Sequence, residues 1–261
     1  MNKFFNNMKK YQKYAIRSAK AELKSEVADS RLNWLWWIIE PLCFMLVYTV
    51  VFGIVFQSKE EHFSVFIMFG LTLWDFFNRM ISGSVKLIIK NRDLVTKVYL
   101  PKYILLYSKS LTYLFKMGIS FMLTFGLMIC VGAPFTWHII LLIPVVCVVY
   151  LLSFGFGLIL MHFGVTLDDL ANLTHIGLRM MFYLTGVFYN IKKRLGTGLM
   201  GTLMLKFNPM ACLINEARKV GFYGTLPSVK LLGAWLLVSL VLCVIGIHLI
   251  HKYENSYAKV I

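Results

Sequence analysis

The chain has 261 residues, of which 59% are hydrophobic and 15% charged, and its mean hydropathy is +0.71. A soluble domain of this length does not need so much apolar surface, so the composition excludes a soluble protein and predicts an integral membrane protein. The formal net charge of +15 would suggest nucleic-acid binding in a soluble protein. In a membrane protein the basic side chains can lie at lipid headgroups, so we expect membrane lipids and no nucleic acid as partners.

The first predicted element is an amphipathic helix within residues 1–33, which we expect to lie in the cytoplasm at the membrane surface. Its basic face consists of Lys13, Arg17, Lys20, Lys24 and Arg31. Its apolar line consists of Ile16, Ala19, Leu23 and Val27. Its acidic stripe consists of Glu22, Glu26 and Asp29. A helix with basic and apolar faces lies flat at a membrane surface. Because it runs into the first apolar stretch without a linker, we expect segment 13–56 to organise the rest of the chain.

Six apolar stretches follow that are each close to the ~20 residues that a membrane span requires. They are residues 34–56, 64–86, 108–131, 138–162, 172–190 and 230–251. Lys and Arg near the span ends place the N-terminus, the basic loop after the second span and the tail 252–261 in the cytoplasm. The short loop 57–63, with Lys59, Glu60 and Glu61, suits the outer side.

Five predicted spans precede segment 191–227, so the count of crossings places it on the outer side. The segment is basic, however, and the positive-inside rule by itself would place it in the cytoplasm. Lys192, Lys193 and Arg194 form one cationic cluster, which could attract lipid headgroups or an anionic product. Asn208 and Pro209 predict an N-cap followed by proline at the first helical position. With a second short helix at 196–207, the pattern suits a re-entrant or interfacial hairpin.

Several charged residues fall within the predicted spans, where each needs a partner or water. Asp75 and Arg79 are spaced for a local ion pair, which we favour over a water-lined channel face. Lys109 and Lys116 are expected to extend toward the headgroups rather than to bind substrate phosphate. Arg179 either pairs with a neighbouring helix or contacts an anionic ligand.

The sequence offers little support for an enzyme or a metal site. The five cysteines are scattered and none forms a CxxC pair. His162, Asp168, Asp169 and His175 do not have a known ligand spacing, so we predict no metal site. An intramembrane enzyme built on these four residues would also need a converging polar pocket, for which the remaining spans offer few candidates.

Short motifs along the whole chain together identify a family resemblance. The chain resembles the membrane subunit of ABC-type polysaccharide exporters, the permeases for O-antigen, capsule and teichoic acid. The matching residues include Leu32, Asn33, Trp34, Glu40 and Pro41, then Gly70, Leu71, Trp74 and the run 91–102, and finally Asp169, residues 182–189, Asn208, Pro209, Arg218, Lys252, Tyr253, Glu254, Tyr257 and Ala258. The chain departs from the family pattern at two places. It has Asp168 where a basic residue is common in the family. It has Thr185, Gly186 and Val187 where the family more usually has serine, proline and an aliphatic residue. The second departure predicts a less sharply bent fifth span.

The resemblance implies an all-α permease with six transmembrane helices, an N-terminal interface helix and a re-entrant external hairpin, acting as a homodimer in the bacterial cell membrane with both termini in the cytoplasm. It implies export of a lipid-linked polysaccharide or teichoic-acid-like polymer. The chain has no GxxxxGK[ST] phosphate loop, so a separate ATP-binding subunit would supply ATP and Mg, and this chain would carry no cofactor and no enzymatic activity. An exporter of drugs or small lipids is the nearest alternative, followed by an ATP-independent transporter or enzyme.

The resemblance also implies roles for three groups of residues. The coupling group that would contact the ATP-binding subunit is Asn91, Arg92, Asp93, Leu94, Arg17, Lys20 and Lys24. The channel group is Tyr48, Phe52, Asp75, Arg79, Arg179, Phe182, Tyr183, Phe188 and Tyr189, although packing alone would also explain each aromatic ring. The external gate group is Lys192, Lys193, Arg194, Asn208, Pro209 and Arg218.

Overall fold

The computed structural model describes residues 2–28, 31–58, 60–196, 198–254 and 256–257, and every regular element in them is a helix. The all-α prediction is therefore confirmed for the described chain. The helices are α1 Asn2–Ala28, α2 Trp36–Tyr48, α3 Phe63–Val85, α4 Leu87–Lys90, α5 Arg92–Lys97, α6 Tyr103–Val131, α7 Leu142–Thr166, α8 Leu170–Leu184, α9 Ile191–Leu195, α10 Leu199–Phe207, α11 Pro209–Gly221 and α12 Val229–Lys252. Asp29, Lys59 and Ala258, on which predictions rest, lie outside the described residues, as do residues 259–261.

Four helical segments of the described chain are long and apolar enough to cross a membrane: Asn33–Val55, Tyr103–Val131, Trp137–Thr166 and Val229–Lys252. They correspond to the predicted first, third, fourth and sixth spans, so this is a multi-pass membrane protein. Helix α3 has 23 residues but carries Asp75 and Arg79. Helix α8 has 15 residues, about 22 Å at ~1.5 Å per residue, against a hydrocarbon core of ~30 Å. The count of six spans stays a prediction.

Helix α3, rather than segment 13–56, is the centre of the packed core. It contacts α2, α6, α7, α8 and α11, and the side chains of Phe66, Phe69, Leu73 and Met80 are fully buried. The first span lies at the periphery, where side chains such as Val47 are exposed. The expectation that segment 13–56 organises the rest of the chain was wrong. The reason is that α3 is apolar around most of its circumference, whereas the first span packs against the protein on one side only.

Helix α1 packs along the first half of α6 and uses its acidic stripe to do so. Glu22 forms an ion pair with Lys109, and the Glu26 carboxylate lies 2.6 Å from Lys116 Nζ. The two lysines therefore do not extend to the headgroups as expected. The reason is that α6 begins at Tyr103, five residues before the predicted boundary, which places both lysines in the part of the helix that α1 covers.

The small residues of α1 form its packed line, while its basic face stays exposed. Ala15 and Ala19 are buried, and the Ser108 hydroxyl donates to the carbonyl oxygen of Ala15 over 3.2 Å. Ile16, expected in the apolar line, is 39% exposed. Because the alanines lack bulk, α1 can approach α6 closely.

The fifth apolar stretch ends earlier than its composition suggests. Helix α8 ends at Leu184, and Gly186 adopts a left-handed backbone conformation with φ of +69°. A fifth span that is less sharply bent than is usual in the family stays a prediction. Glycine reaches this conformation without the steric penalty of a Cβ, so it can end the helix where proline is more usual.

Candidate functional site

Four of the aromatic side chains in the predicted channel group meet in one cluster between the first span and the end of α8. The Phe188 ring is at its centre, with ring centroids 4.5 Å from Phe52, 4.6 Å from Tyr48 and 4.8 Å from Phe182. Phe188 is buried, whereas Tyr183 is exposed beside the cluster. The first span changes here to a π-helical segment, Thr49–Val55, a conformation that is frequent at functional sites.

A charged cavity of about 150 Å³ lies next to this cluster. The predicted pair of Asp75 and Arg79 is present, with Oδ2 and Nε 2.7 Å apart. A third member, Glu40 from α2, lies 2.8 Å from Arg79 Nη2. Tyr48 and Phe182 line the same cavity, so four residues of the channel group share one site that joins α2, α3 and α8.

The remaining channel residues lie apart from this cavity. Arg179 is exposed on α8, and Tyr189 donates a hydrogen bond of 3.0 Å to the carbonyl oxygen of Tyr183 beyond the end of that helix. The cavity therefore brings together part of the predicted set, and it also contains Glu40 and Lys116, which sequence reasoning did not assign to it.

Four members of the predicted coupling group, Asn91, Arg92, Asp93 and Leu94, lie at two short helices, α4 and α5, that form an exposed polar surface. The other three, Arg17, Lys20 and Lys24, are exposed on α1. The side chain of Asn91 donates to the carbonyl oxygen of Leu87 over 2.8 Å and so joins α4 to α5. On α5, Val95 is buried and Leu94 is half-buried, while Arg92 and Asp93 are exposed. The apolar residues hold the helix against the protein and leave its charged face available to a partner.

The acidic loop between α7 and α8 also has an interaction partner in the structure. Lys86, at the end of α3, donates to Asp168 over 3.3 Å and to the carbonyl oxygen of Leu167 over 3.5 Å. This contact joins the loop to the segment that leads into α4 and α5. No sequence signal links the two residues, which are 82 positions apart.

The external gate group contains a buried arginine that joins three segments. Arg218 on α11 donates to the carbonyl oxygens of Phe66, Gly186 and Val187 over 3.0, 2.7 and 2.7 Å. Burial lowers the pKa of Arg218 to about 9, an effect that the nearby Tyr223 and Glu60 oppose. The guanidinium therefore stays charged at neutral pH. The predicted N-cap is also present, since the side chain of Asn208 accepts from the backbone N–H of Ala211 and Pro209 begins α11.

Glu60, in the loop after the first span, contacts the hairpin from the other side. Its carboxylate lies 3.0 Å from Lys193 Nζ and accepts a 2.8 Å hydrogen bond from the Tyr223 hydroxyl. Burial, followed by this hydrogen bond, raises the pKa of Tyr223, which keeps the phenol protonated as a donor. Of the cationic cluster, Lys193 is thus paired with Glu60, while Lys192 and Arg194 are exposed.

In the described residues, no three His, Cys, Asp or Glu side chains are grouped so that they could hold a metal ion. The charged cavity, the coupling helices and the hairpin are the polar features to be explained. A family model described as ABC-2 type transporter matches residues 16–222, from within α1 to the end of α11. The chain belongs to the ABC-2 type transporter family. The family resemblance read from the sequence is thereby confirmed.

Three relatives indicate where this ABC-2 protein lies within its family. It is 28% identical over 99% of both chains to the O-antigen export system permease protein RfbA of Myxococcus xanthus. It is 22% identical over 92% of both chains to the protein of the same name from Klebsiella pneumoniae. It is 23% identical to the polysialic acid transport protein KpsM of Escherichia coli, over 90% of this chain and 91% of that one. The similarity covers every functional feature described above.

Proposed function

We propose that this ABC-2 protein is the channel-forming permease subunit of an ATP-driven exporter. Its cargo would be a lipid-linked polysaccharide or teichoic-acid-like polymer, moved from the cytoplasmic to the outer side of the membrane. The observation that carries the proposal is the similarity over 99% of the chain to an O-antigen export permease. The further similarity to a polysialic acid transport protein favours a polymeric glycan over a drug or small lipid.

In this proposal the chain works as a homodimer of six-span subunits, with α3 and α8 as the second and fifth spans and with both termini in the cytoplasm. A separate ATP-binding subunit holds ATP and Mg and docks on α5 through Arg92 and Asp93, whose exposed charges suit a protein contact. The basic face of α1, with Arg17, Lys20 and Lys24, is the second contact. No hydrolytic chemistry is assigned to the permease itself.

Contacts between helices would transmit an ATP-driven movement of α1 and α5 to the helices in the membrane. Helix α1 is joined to α6 by two ion pairs, and α5 leads into α6 through residues 98–102 only. Arg79 links α3 to α2 through Glu40. A displacement of α5 and α1 would therefore move α6 directly and reach the first span and the aromatic cluster through α3.

The exposed cations of the external hairpin suit an anionic product. Lys192 and Arg194 are exposed on α9, and arginine geometry matches phosphate and carboxylate groups well. The aromatic cluster would offer apolar faces on which sugar rings can slide. The hairpin and the cluster are adjacent because Gly186 turns the chain from α8 toward α9.

Depletion of the protein, followed by extraction of lipid-linked glycans from the cytoplasmic leaflet, tests this function. We expect one polymer to accumulate, and its phosphate content to distinguish a teichoic-acid-like polymer from a neutral glycan. Re-expression of the wild-type chain should clear the polymer. A chain carrying Arg92→Glu and Asp93→Lys should leave it in place while ATP hydrolysis by the partner subunit continues.

Lys230→Glu, a charge reversal at an exposed residue at the start of α12 and outside the hairpin segment 191–227, serves as the control and should export normally. Intact surface glycans with no accumulated polymer would contradict the export function. Normal export by the Arg92 and Asp93 double variant would contradict only the coupling role of α5.

A further inference from the structure

A second cavity lies between α1, α6, α7 and α12, apart from the charged cavity and the aromatic cluster. Its volume is about 540 Å³, within the ~300–1,000 Å³ typical of ligand sites. One face of α12 forms its long wall with Leu240, Cys243, Val244, Ile247, His248 and His251. Tyr150, Leu151 and Phe154 of α7 form its floor. We call this cavity the α12 groove.

The apolar part of the α12 groove faces the bilayer. Helix α12 is one of the four candidate spans, and Leu240 and Val244 on its wall are 44% and 54% exposed. From Leu240 to His251 the helix rises about 16 Å at ~1.5 Å per residue. This is close to half of a ~30 Å hydrocarbon core, so the groove spans the depth of one leaflet, at the C-terminal end of α12.

The other end of the groove is polar and contains an incompletely paired carboxylate. Glu254 is largely buried, with 11% of its side chain exposed, and its Oε2 atom lies 3.4 Å from His251 Nδ1. Its Oε1 atom is buried and has no hydrogen-bond donor among the described residues. A buried carboxylate oxygen without a donor is unfavourable, and a cation that donates hydrogen bonds is its natural complement.

We propose that the α12 groove binds a phospholipid whose headgroup carries a primary ammonium, such as phosphatidylethanolamine. An acyl chain lies along α12 between Leu240 and Ile247, the ammonium lies at Glu254, and the phosphodiester lies beside His248 and His251. With the orientation proposed above, this lipid belongs to the cytoplasmic leaflet. The inference depends on the membrane location of α12 and not on the transported substrate.

The charge of the polar end selects this headgroup. A primary ammonium has three N–H donors and can bond the carboxylate of Glu254, whereas the quaternary ammonium of choline has none. Lys102 lies near enough to interact electrostatically with Glu254 but donates its hydrogen bond to the carbonyl oxygen of Leu100, so the Oε1 atom of Glu254 still lacks a donor. Asn7 and Met8 of α1, together with Tyr99 and Pro101 next to α5, also line the groove, so the lipid would contact elements beside the coupling group.

The test uses the full-length protein in nanodiscs that contain equal amounts of phosphatidylethanolamine, phosphatidylcholine and phosphatidylglycerol, followed by native mass spectrometry of the lipids it retains. Val244→Trp fills the groove. Val241→Trp is the matched control, since Val241 is 57% exposed on α12 outside the groove. Leu240→Trp is a second groove-filling variant for use if Val244→Trp does not fold.

We expect the wild-type protein and Val241→Trp to retain phosphatidylethanolamine about tenfold over the other lipids, a factor equal to ~1.4 kcal/mol. The groove-filling variant should lose this retention. Glu254→Gln should keep a bound lipid but show no preference between phosphatidylethanolamine and phosphatidylcholine.

Equal retention by the groove-filling variant and Val241→Trp would overturn the site. A wild-type preference for phosphatidylglycerol would overturn the headgroup assignment and favour an anionic lipid, including a lipid-linked pyrophosphate. An unchanged preference in Glu254→Gln would overturn the role of the carboxylate.

Discussion

At the scale of single residues, the buried charge of Arg218 joins α11 to α3 and to the turn after α8. Its guanidinium bonds three carbonyl oxygens and lies over the Phe66 ring, with Cζ 3.4 Å from the ring centroid. Gly70 makes room for it, since a Cβ there would lie 2.6 Å from Arg218 Nη2. Arginine suits this position because its planar group presents several donors in fixed directions.

Replacing Arg218 by methionine should lower the stability of the protein by on the order of 3 kcal/mol, because the carbonyls of Gly186 and Val187 would lose charged donors. Arg218→Lys should recover only part of the loss, since one ammonium cannot match the guanidinium geometry. Thermal unfolding in detergent measures the effect, and Arg194→Met at an exposed site is the control. An unchanged unfolding temperature for Arg218→Met would contradict the stabilising role.

At the scale of elements, the docking of α1 on α6 combines small apolar contacts with two ion pairs. The side chains of Lys116 and Glu26 are 15% and 35% exposed, so the pair is partly screened and of moderate strength. The pairs fix the register of α1 along α6, whereas Ala15 and Ala19 fix the distance. This division lets the basic face of α1 stay exposed for a partner.

The charge reversals Glu26→Lys and Lys116→Glu, made singly and together, should give a coupling free energy of about 1 kcal/mol in a double-mutant cycle. Each single variant should be less stable than the double variant because it places like charges together. The matched control is the pair of Asp93 and Lys97, whose side chains are 93% and 76% exposed. Its coupling free energy should be about 0 kcal/mol. Additive effects at Glu26 and Lys116 would show that the ion pair does not stabilise the docking of α1.

At the scale of the whole molecule, the topology depends on whether α8 completes a crossing. Helices α6 and α7 are each long enough to span the membrane, while α8 is short and followed by the turn at Gly186. If residues 185–190 complete the crossing in an irregular conformation, α5 and α9 lie on opposite sides of the membrane. The Gly186 turn is packed against Ile191 and Arg218, as irregular backbone at membrane depth requires.

Cysteine labelling in intact cells decides this point. In a chain whose five native cysteines are replaced, Lys192→Cys should react with a membrane-impermeant maleimide from outside, because three crossings separate it from α5. Asp93→Cys should react only after the membrane is permeabilised. Labelling of both positions from the same side would contradict the six-span topology.

Features that depend on neighbouring residues of the chain were predictable from the sequence. Apolar runs identified the long spans to within a few residues, the i,i+4 spacing identified the ion pair of Asp75 and Arg79, and Asn208 with Pro209 identified the start of α11. Hydropathy and helix capping operate within one or two helical turns, so the local sequence contains them. The motifs along the chain also identified the ABC-2 family.

Tertiary structure alone decided which helix is central and which distant charges meet. Glu40 and Arg79 are 39 positions apart, and Glu22 and Lys109 are 87 apart, so no periodicity links either pair. The carbonyl partners of Arg218 likewise come together only when separate segments pack, and so does the α12 groove, whose lining comes from α1, α6, α7 and α12. The sequence by itself determined a helical membrane permease of a known family, whereas the packing of its helices determined the interaction partners of each buried charge.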